Sequence, residues 1–253
     1  MQHKRLINKN IVLNVLILVI GLIPAVRLIS IVYTTGMNNL SNDYLAYSPI
    51  VIDAMNNGFP FSNLSSTCFK GQCQPITFML MTFFAKYFYW NVYAEILFSI
   101  FVTLVTVFLI YFLYAGFSFQ PKKAWIFVFI SALCWAITQI STYTFGQASL
   151  YSTTCLMGFC LGLFGVKYYP NSYKGIILII IGMWFAVWSY GTGLVTIPIF
   201  FLGLLIGFKH KKYFVLWAIS LLVISVPYIQ YYLIDQVGLQ SGVSFFSFFR
   251  FDW

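Results

Sequence analysis

The sequence predicts an all-α integral membrane protein of about seven transmembrane helices, with a first external loop bearing interfacial amphipathic helices. Three observations predict it. The 253 residues are 61% hydrophobic and 8% charged, where a soluble domain carries about 25% charged residues, so the solvent must be lipid. The apolar residues fall in runs long enough to cross a bilayer, the first of which, 11–33, would extend about 35 Å as a helix. The basic residues gather in alternate connections, the pattern that orients membrane proteins. In a soluble chain the net charge of +9 would suggest nucleic acid; here its distribution accounts for it, and nucleic acid is not expected as a partner.

The first run follows a basic start, Lys4-Arg5. It is too long for the core of a signal peptide and has no convincing small-x-small cleavage site, so it reads as a retained anchor. Arg27 lies near its far end. It can snorkel to the interface or meet an anionic ligand, and both readings stay open.

Residues 34–91 form the first external loop, too long for an idle connector. Ser48-Pro49 reads as an N-cap with proline at the first helical position, a short helix over 50–55 follows, and Gly58 ends it. Cys68 and Cys73 form a small disulfide if the loop faces an oxidising compartment, and are otherwise two free thiols; the spacing allows either. Cys134, Cys155 and Cys160 fall in apolar runs and read as packing residues.

The segment 76–90 decides the topology. It is apolar but only about 22 Å long as a helix. It contains Lys86 and ends in Tyr87-Phe88-Tyr89-Trp90, an aromatic cluster typical of a membrane interface. If it lies flat, seven spans remain: 11–33, 93–117, 124–142, 149–166, 175–189, 193–208 and 213–234. Lys4, Arg5, Lys9, Lys122, Lys123, Lys167, Lys174, Lys209, Lys211 and Lys212 then share the cytoplasmic side. Lys70, Lys86 and Arg250 lie outside. If the segment crosses instead, Lys122 and every later loop lysine move outside, against the positive-inside bias. The expectation is therefore one polytopic domain over 1–253. Its N-terminus is cytoplasmic, and its first loop and its segment 235–253 are extracytoplasmic. Glycines in Ser189-Tyr190-Gly191-Thr192-Gly193 suit a tight external turn.

Several chemistries are absent from the sequence. There is no Gly-rich phosphate loop, no HExxH and no nucleophile elbow. His3 and His210 belong to basic clusters. No buried charge ladder of the kind expected along an ion path is visible. All five acids, Asp43, Asp53, Glu95, Asp235 and Asp252, fall outside or at that interface. Asp53 belongs to the short helix, and Glu95 heads a span where the helix dipole already explains an acid. That leaves Asp43, about ten residues beyond the first span, inside Ser41-Asn42-Asp43-Tyr44-Leu45-Ala46-Tyr47-Ser48-Pro49.

These residues carry a resemblance. Asn42-Asp43-Tyr44-Leu45-Ala46-Tyr47, followed by Asn56-Asn57-Gly58, is similar to the acidic first-loop motif of the polytopic glycosyltransferases of the C superfamily, which include aminoarabinose, protein mannosyl and O-antigen-modifying transferases. Gln74-Pro75 and the aromatic run to Trp90 resemble the proline-led interfacial helix of those enzymes. Asn91-Val92-Tyr93-Ala94-Glu95 opens the second span as it does there. Trp188-Ser189-Tyr190-Gly191-Thr192-Gly193 resembles a later turn that often reads Thr-Lys-Gly. The chain departs from the pattern at Tyr44, where many members have Glu, and at Gln74 and Tyr190, where lysines often stand.

The resemblance implies a sugar transferase of the bacterial inner membrane. Its donor would be a polyprenyl-phosphate-linked sugar and its acceptor a glycan, lipid or protein outside the cytoplasm. It makes Asp43 the catalytic base, with Arg27, Tyr44, Tyr47, Lys70 and Trp90 as substrate-binding residues. It fixes no cofactor and leaves room for a divalent metal. The alternative is a non-catalytic membrane protein, such as a lipid-sugar translocation subunit or a degenerate paralogue. The resemblance covers the N-terminal transmembrane part of such enzymes, so the expectation is a piece of a longer protein.

Overall fold

In the computed structural model the described residues of the protein are all-α apart from one two-stranded hairpin. The structure describes residues 2–35, 42–62, 64–69, 72–117, 121–135 and 146–231. The helices are α1 (Gln2–Thr35), α2 (Asn42–Asn57), α3 (Pro75–Phe88), α4 (Val92–Ala115), α5 (Pro121–Cys134), α6 (Gly146–Tyr168), α7 (Tyr173–Ser189), α8 (Thr196–Gly207) and α9 (Lys211–Gln230). A 3₁₀ turn, Leu64–Thr67, precedes the hairpin β1 (Cys68–Phe69) and β2 (Gln72–Cys73), and another, Gly191–Val195, precedes α8.

Four of the described helical segments are long and apolar enough to cross a membrane: Val12–Thr34, Val92–Ala115, Ala148–Tyr168 and Lys211–Gln230. Three expected spans are shorter. The helices α5, α7 and α8 have 14, 17 and 12 residues, against about 20 for a full crossing. The second half of the expected span 124–142 lies outside the described residues.

The apolar surface is turned outward as well as inward. On α1, Ile17, Ala25, Leu28 and Val32 face the protein, while Val12, Leu13, Val15, Leu16, Val19, Ile23 and Val26 are exposed. On α9, Val215, Ile219, Leu222 and Ile229 are exposed. A protein in water would not leave so much contiguous apolar surface uncovered.

Contacts fix the helix directions. Tyr168 donates to the Phe112 carbonyl and Lys167 to that of Leu113, and Ser149 meets Ser99, so α4 and α6 run in parallel. In α5, Lys123 reaches the Ala115 carbonyl at 3.1 Å and Phe127 packs on Phe108, so α5 runs back along α4. The pair α6–α7 is an antiparallel hairpin whose backbones touch. A Cβ added to Gly158 would lie 2.5 Å from the Gly182 carbonyl oxygen and 2.6 Å from the Ala186 nitrogen. Small residues permit such an approach, and dispersion between the two backbones then holds it. Two stacked indoles tie α7 to α9: Trp184 donates to Ser220 at 2.7 Å and Trp188 to the Ile224 carbonyl at 3.1 Å.

The result is a bundle with two unlike ends. One end holds Lys123, Lys167, Lys174, Lys209, Lys211 and Lys212. There Lys123 and Lys167 satisfy terminal carbonyls of α4 that have no partner within their helix. The other end is covered by residues between α1 and α4.

The start of that cover differs from the sequence reading. The helix α2 begins at Asn42 and runs through Pro49, where a short helix starting at Pro49 is expected. Tertiary packing overrides the local signal. Tyr47, Val51 and Ala54 form one buried stripe that crosses the proline, and Pro49 itself lies on the exposed side. Gly58 does end the helix: it adopts φ +88°, and its N–H donates to the Ala54 carbonyl at 3.1 Å.

Candidate functional site

The cap is built from α2, the hairpin and α3. Phe78, Met81, Phe84 and Ala85 form the buried face of α3 and pack with Tyr47 and Val51 of α2, Leu150 of α6, and Trp90, Ala94 and Phe98 around the start of α4. Thr77 donates to the Ser189 carbonyl at the end of α7 at 2.9 Å. Thus α3 meets the cap-side ends of α4, α6 and α7 instead of running along one of them. Its other face is exposed and carries Met79, Phe83, Lys86, Tyr87 and Phe88. Tyr89 and Trp90 turn the chain with φ of 53° and 59°. Asn91 caps α4, its side chain accepting from the Tyr93 N–H at 3.0 Å.

The hairpin is closed by a disulfide between Cys68 and Cys73, which pair across β1 and β2. Of the two readings left open by the spacing, the structure takes the bridge. Gln72 lies against Gly191, Tyr228 of α9 donates to the Cys73 carbonyl at 3.3 Å, and Gln230 accepts from the Leu64 N–H at 3.0 Å. The hairpin therefore locks the cap to both the α7–α8 turn and the end of α9. At that turn Tyr190 stacks on Tyr151 of α6, with ring centres 4.6 Å apart.

The expected site residues separate into three groups. Tyr47 and Trp90 come together in the cap core. Tyr47 is edge-on to Phe78 at 5.0 Å and only 7% exposed, so it packs the cap and presents little surface to a ligand. Asp43 and Tyr44 belong to the first turn of α2, and the helical register sets Asp43 one turn before Tyr47. Their side chains, and Lys70, lie outside the described residues. Arg27 is exposed on α1 and does not join the cap core. Asp43 thus sits in a helix, where the sequence suggests a loop, and an acid in a first turn is favoured by the helix dipole. Asp53 is on the same helix, exposed, and accepts from Asn57 at 2.7 Å.

One functional candidate escaped the sequence reading. Glu95 is in the first turn of α4, as expected, but it is 1% exposed and its Oε2 has no hydrogen-bond partner among the described residues. The capping role belongs to Asn91. Along the same helix, Ser99, Thr103 and Thr106 are also buried, and across the α4–α6 seam so are Ser149 and Thr153. The signal was present in the spacing: positions 95, 99, 103 and 106 recur at the helical period and share one face. No three His, Cys, Asp or Glu side chains come together as metal ligands among the described residues.

No protein-family model, curated protein or solved structure matches this chain. The chemistry must therefore be argued from these residues and their placement.

Proposed function

We propose that this is a membrane-embedded glycosyltransferase that moves a sugar from a polyprenyl-phosphate carrier to an acceptor outside the cytoplasm. The observation that carries the reading is the cap. An acid-bearing helix and a proline-led aromatic helix cover the bundle end opposite the lysines. That is where a lipid-linked phosphate head at the outer interface would present its sugar. In this reading α5, α7 and α8 also cross the membrane, which makes seven spans, and α3 lies in the interface. The lysine end faces the cytoplasm, and the disulfide-closed cap faces the oxidising side.

In the proposed reaction the acceptor hydroxyl oxygen bonds to the anomeric carbon. Its proton passes to the Asp43 carboxylate, and the bond from the anomeric carbon to the phosphate oxygen breaks, so that the lipid phosphate leaves with the electron pair. Charge growing on that phosphate needs a cationic or dipolar partner. Lys70 and Arg27 are the candidates. The aromatic face of α3, with Phe83 and Tyr87, would border the lipid.

The test is turnover of a synthetic polyprenyl-phosphate sugar by the purified protein. Asp43→Asn should cut transfer by roughly 10²–10⁴-fold, the range for loss of a general base, with insertion and expression unchanged. Asp53→Asn should be much milder. Wild-type transfer by the Asp43→Asn protein would refute the assignment. The second reading, a non-catalytic translocation subunit, is favoured by the buried polar seam between α4 and α6. It predicts no transfer by the wild type and movement of the lipid-linked sugar between leaflets in vesicles.

A further inference from the structure

The α4–α6 seam has an unusual hydrogen-bond balance. Ser99 donates its hydroxyl hydrogen to the Glu95 carbonyl at 2.9 Å, Thr103 to the Ser99 carbonyl at 2.8 Å and Thr106 to the Val102 carbonyl at 2.9 Å. On α6, Thr153 donates to the Ser149 carbonyl at 2.6 Å. Each of these hydrogens is turned back onto its own helix, one turn before, which is the usual habit of hydroxyls in apolar helices. What the hydroxyls offer to the seam is oxygen lone pairs. Across the seam Ser149 donates to the Ser99 oxygen at 2.8 Å, and Ser99, whose own hydrogen goes to the Glu95 carbonyl, has none left for the carboxylate one turn away.

At the cap-side mouth of this seam stands Glu95, buried, with Oε2 unpartnered. An isolated carboxylate in an apolar interior is strongly disfavoured. Acids held within membrane helices characteristically mark ion paths or pair with a counter-charge. We propose that Glu95, Ser99 and Ser149 form a binding site for a monovalent metal cation, for which sodium is the probe. Charge selects the valence: one carboxylate and one monovalent ion leave the site neutral, whereas a divalent ion would leave a net charge buried. The lone pairs of Ser99 and Ser149 select a cation over an anion or a hydrogen-bond acceptor. The site does not depend on sugar transfer and stands whether or not Asp43 is a base.

The experiment is thermal unfolding of the detergent-purified protein in sodium, potassium or choline chloride at equal ionic strength and fixed pH, together with equilibrium binding of radioactive sodium. The wild type should bind sodium saturably, and its midpoint should rise with sodium, along the same curve, but not with choline. Glu95→Gln should abolish both the binding and the shift. Ser149→Ala should raise the sodium concentration needed for half the shift several-fold. A wild type that behaves alike in all three salts and binds no sodium overturns the site, as does a Glu95→Gln protein that keeps the shift. If Glu95→Gln cannot be recovered folded, sodium binding to the wild type and its weakening in Ser149→Ala decide the question.

Discussion

Cys68 and Cys73 show what a pair of residues can and cannot declare from sequence. Four residues separate them, a spacing that suits a bridged hairpin or two thiols equally, and only the pairing of β1 with β2 brings the sulfurs together. Both should resist an alkylating reagent in the folded protein until a reductant is added, with mass spectrometry reading the adducts; modification of both without reductant would show an open hairpin. Glu95 teaches the opposite lesson. Its place in a first turn was readable, and so was the spacing to Ser99, Thr103 and Thr106. The apolar residues between dominate the segment and obscure the stripe. Its burial depends on the elements packed around the start of α4, and no local pattern reports that.

Among the elements, the glycine contact of α6 with α7 leaves no room for a larger side chain. Gly182 sits against Gly158 and Gly162 backbone, so Gly182→Val forces the helices apart. It should cost about 1–3 kcal/mol, the range for overpacking a tight interface. A lowered unfolding midpoint in detergent would register this, and an unchanged one would show that the hairpin can open without loss. Helices with long apolar runs were readable from sequence because their pattern is local: 92–115 and 211–230 fall within two residues of the expected spans at their starts. The start of α2 is not legible in the sequence because its evidence is tertiary. Pro49 and Ser48 signal a start, but Tyr47 gains its burial from Phe78, thirty-one positions away in sequence, and the helix extends upstream to deliver it.

For the whole molecule, two unrelated physical signals give the proposed orientation. Lys123, Lys167, Lys174, Lys209, Lys211 and Lys212 cluster at one end of the bundle, and the disulfide closes the other, where Lys86 stands alone among the described lysine side chains; one signal depends on charge transfer across a membrane and the other on redox compartment. Single cysteines replacing Ser62, which is exposed in the cap, and Lys211, exposed at the lysine end, would report it in a protein lacking the native cysteines. An impermeant maleimide applied to intact cells should modify the first and spare the second. Labelling of both from outside would remove the seven-span arrangement.

The contact of Gln230 with Leu64 spans 166 positions, and it bears on how the protein is made. In the proposed orientation the hairpin between Cys68 and Cys73 needs only its own few residues and can oxidise as soon as that stretch is translocated. The cap around it is not sealed until α9 has left the ribosome and entered the bilayer, bringing Tyr228 and Gln230. Throughout the interval the hairpin and the Leu64–Thr67 turn lack the hydrogen bonds that α9 brings, although the buried face of α3 can already pack on α4 and α6. Nascent chains halted before α9 would be the forms that membrane quality-control proteases and chaperones meet first.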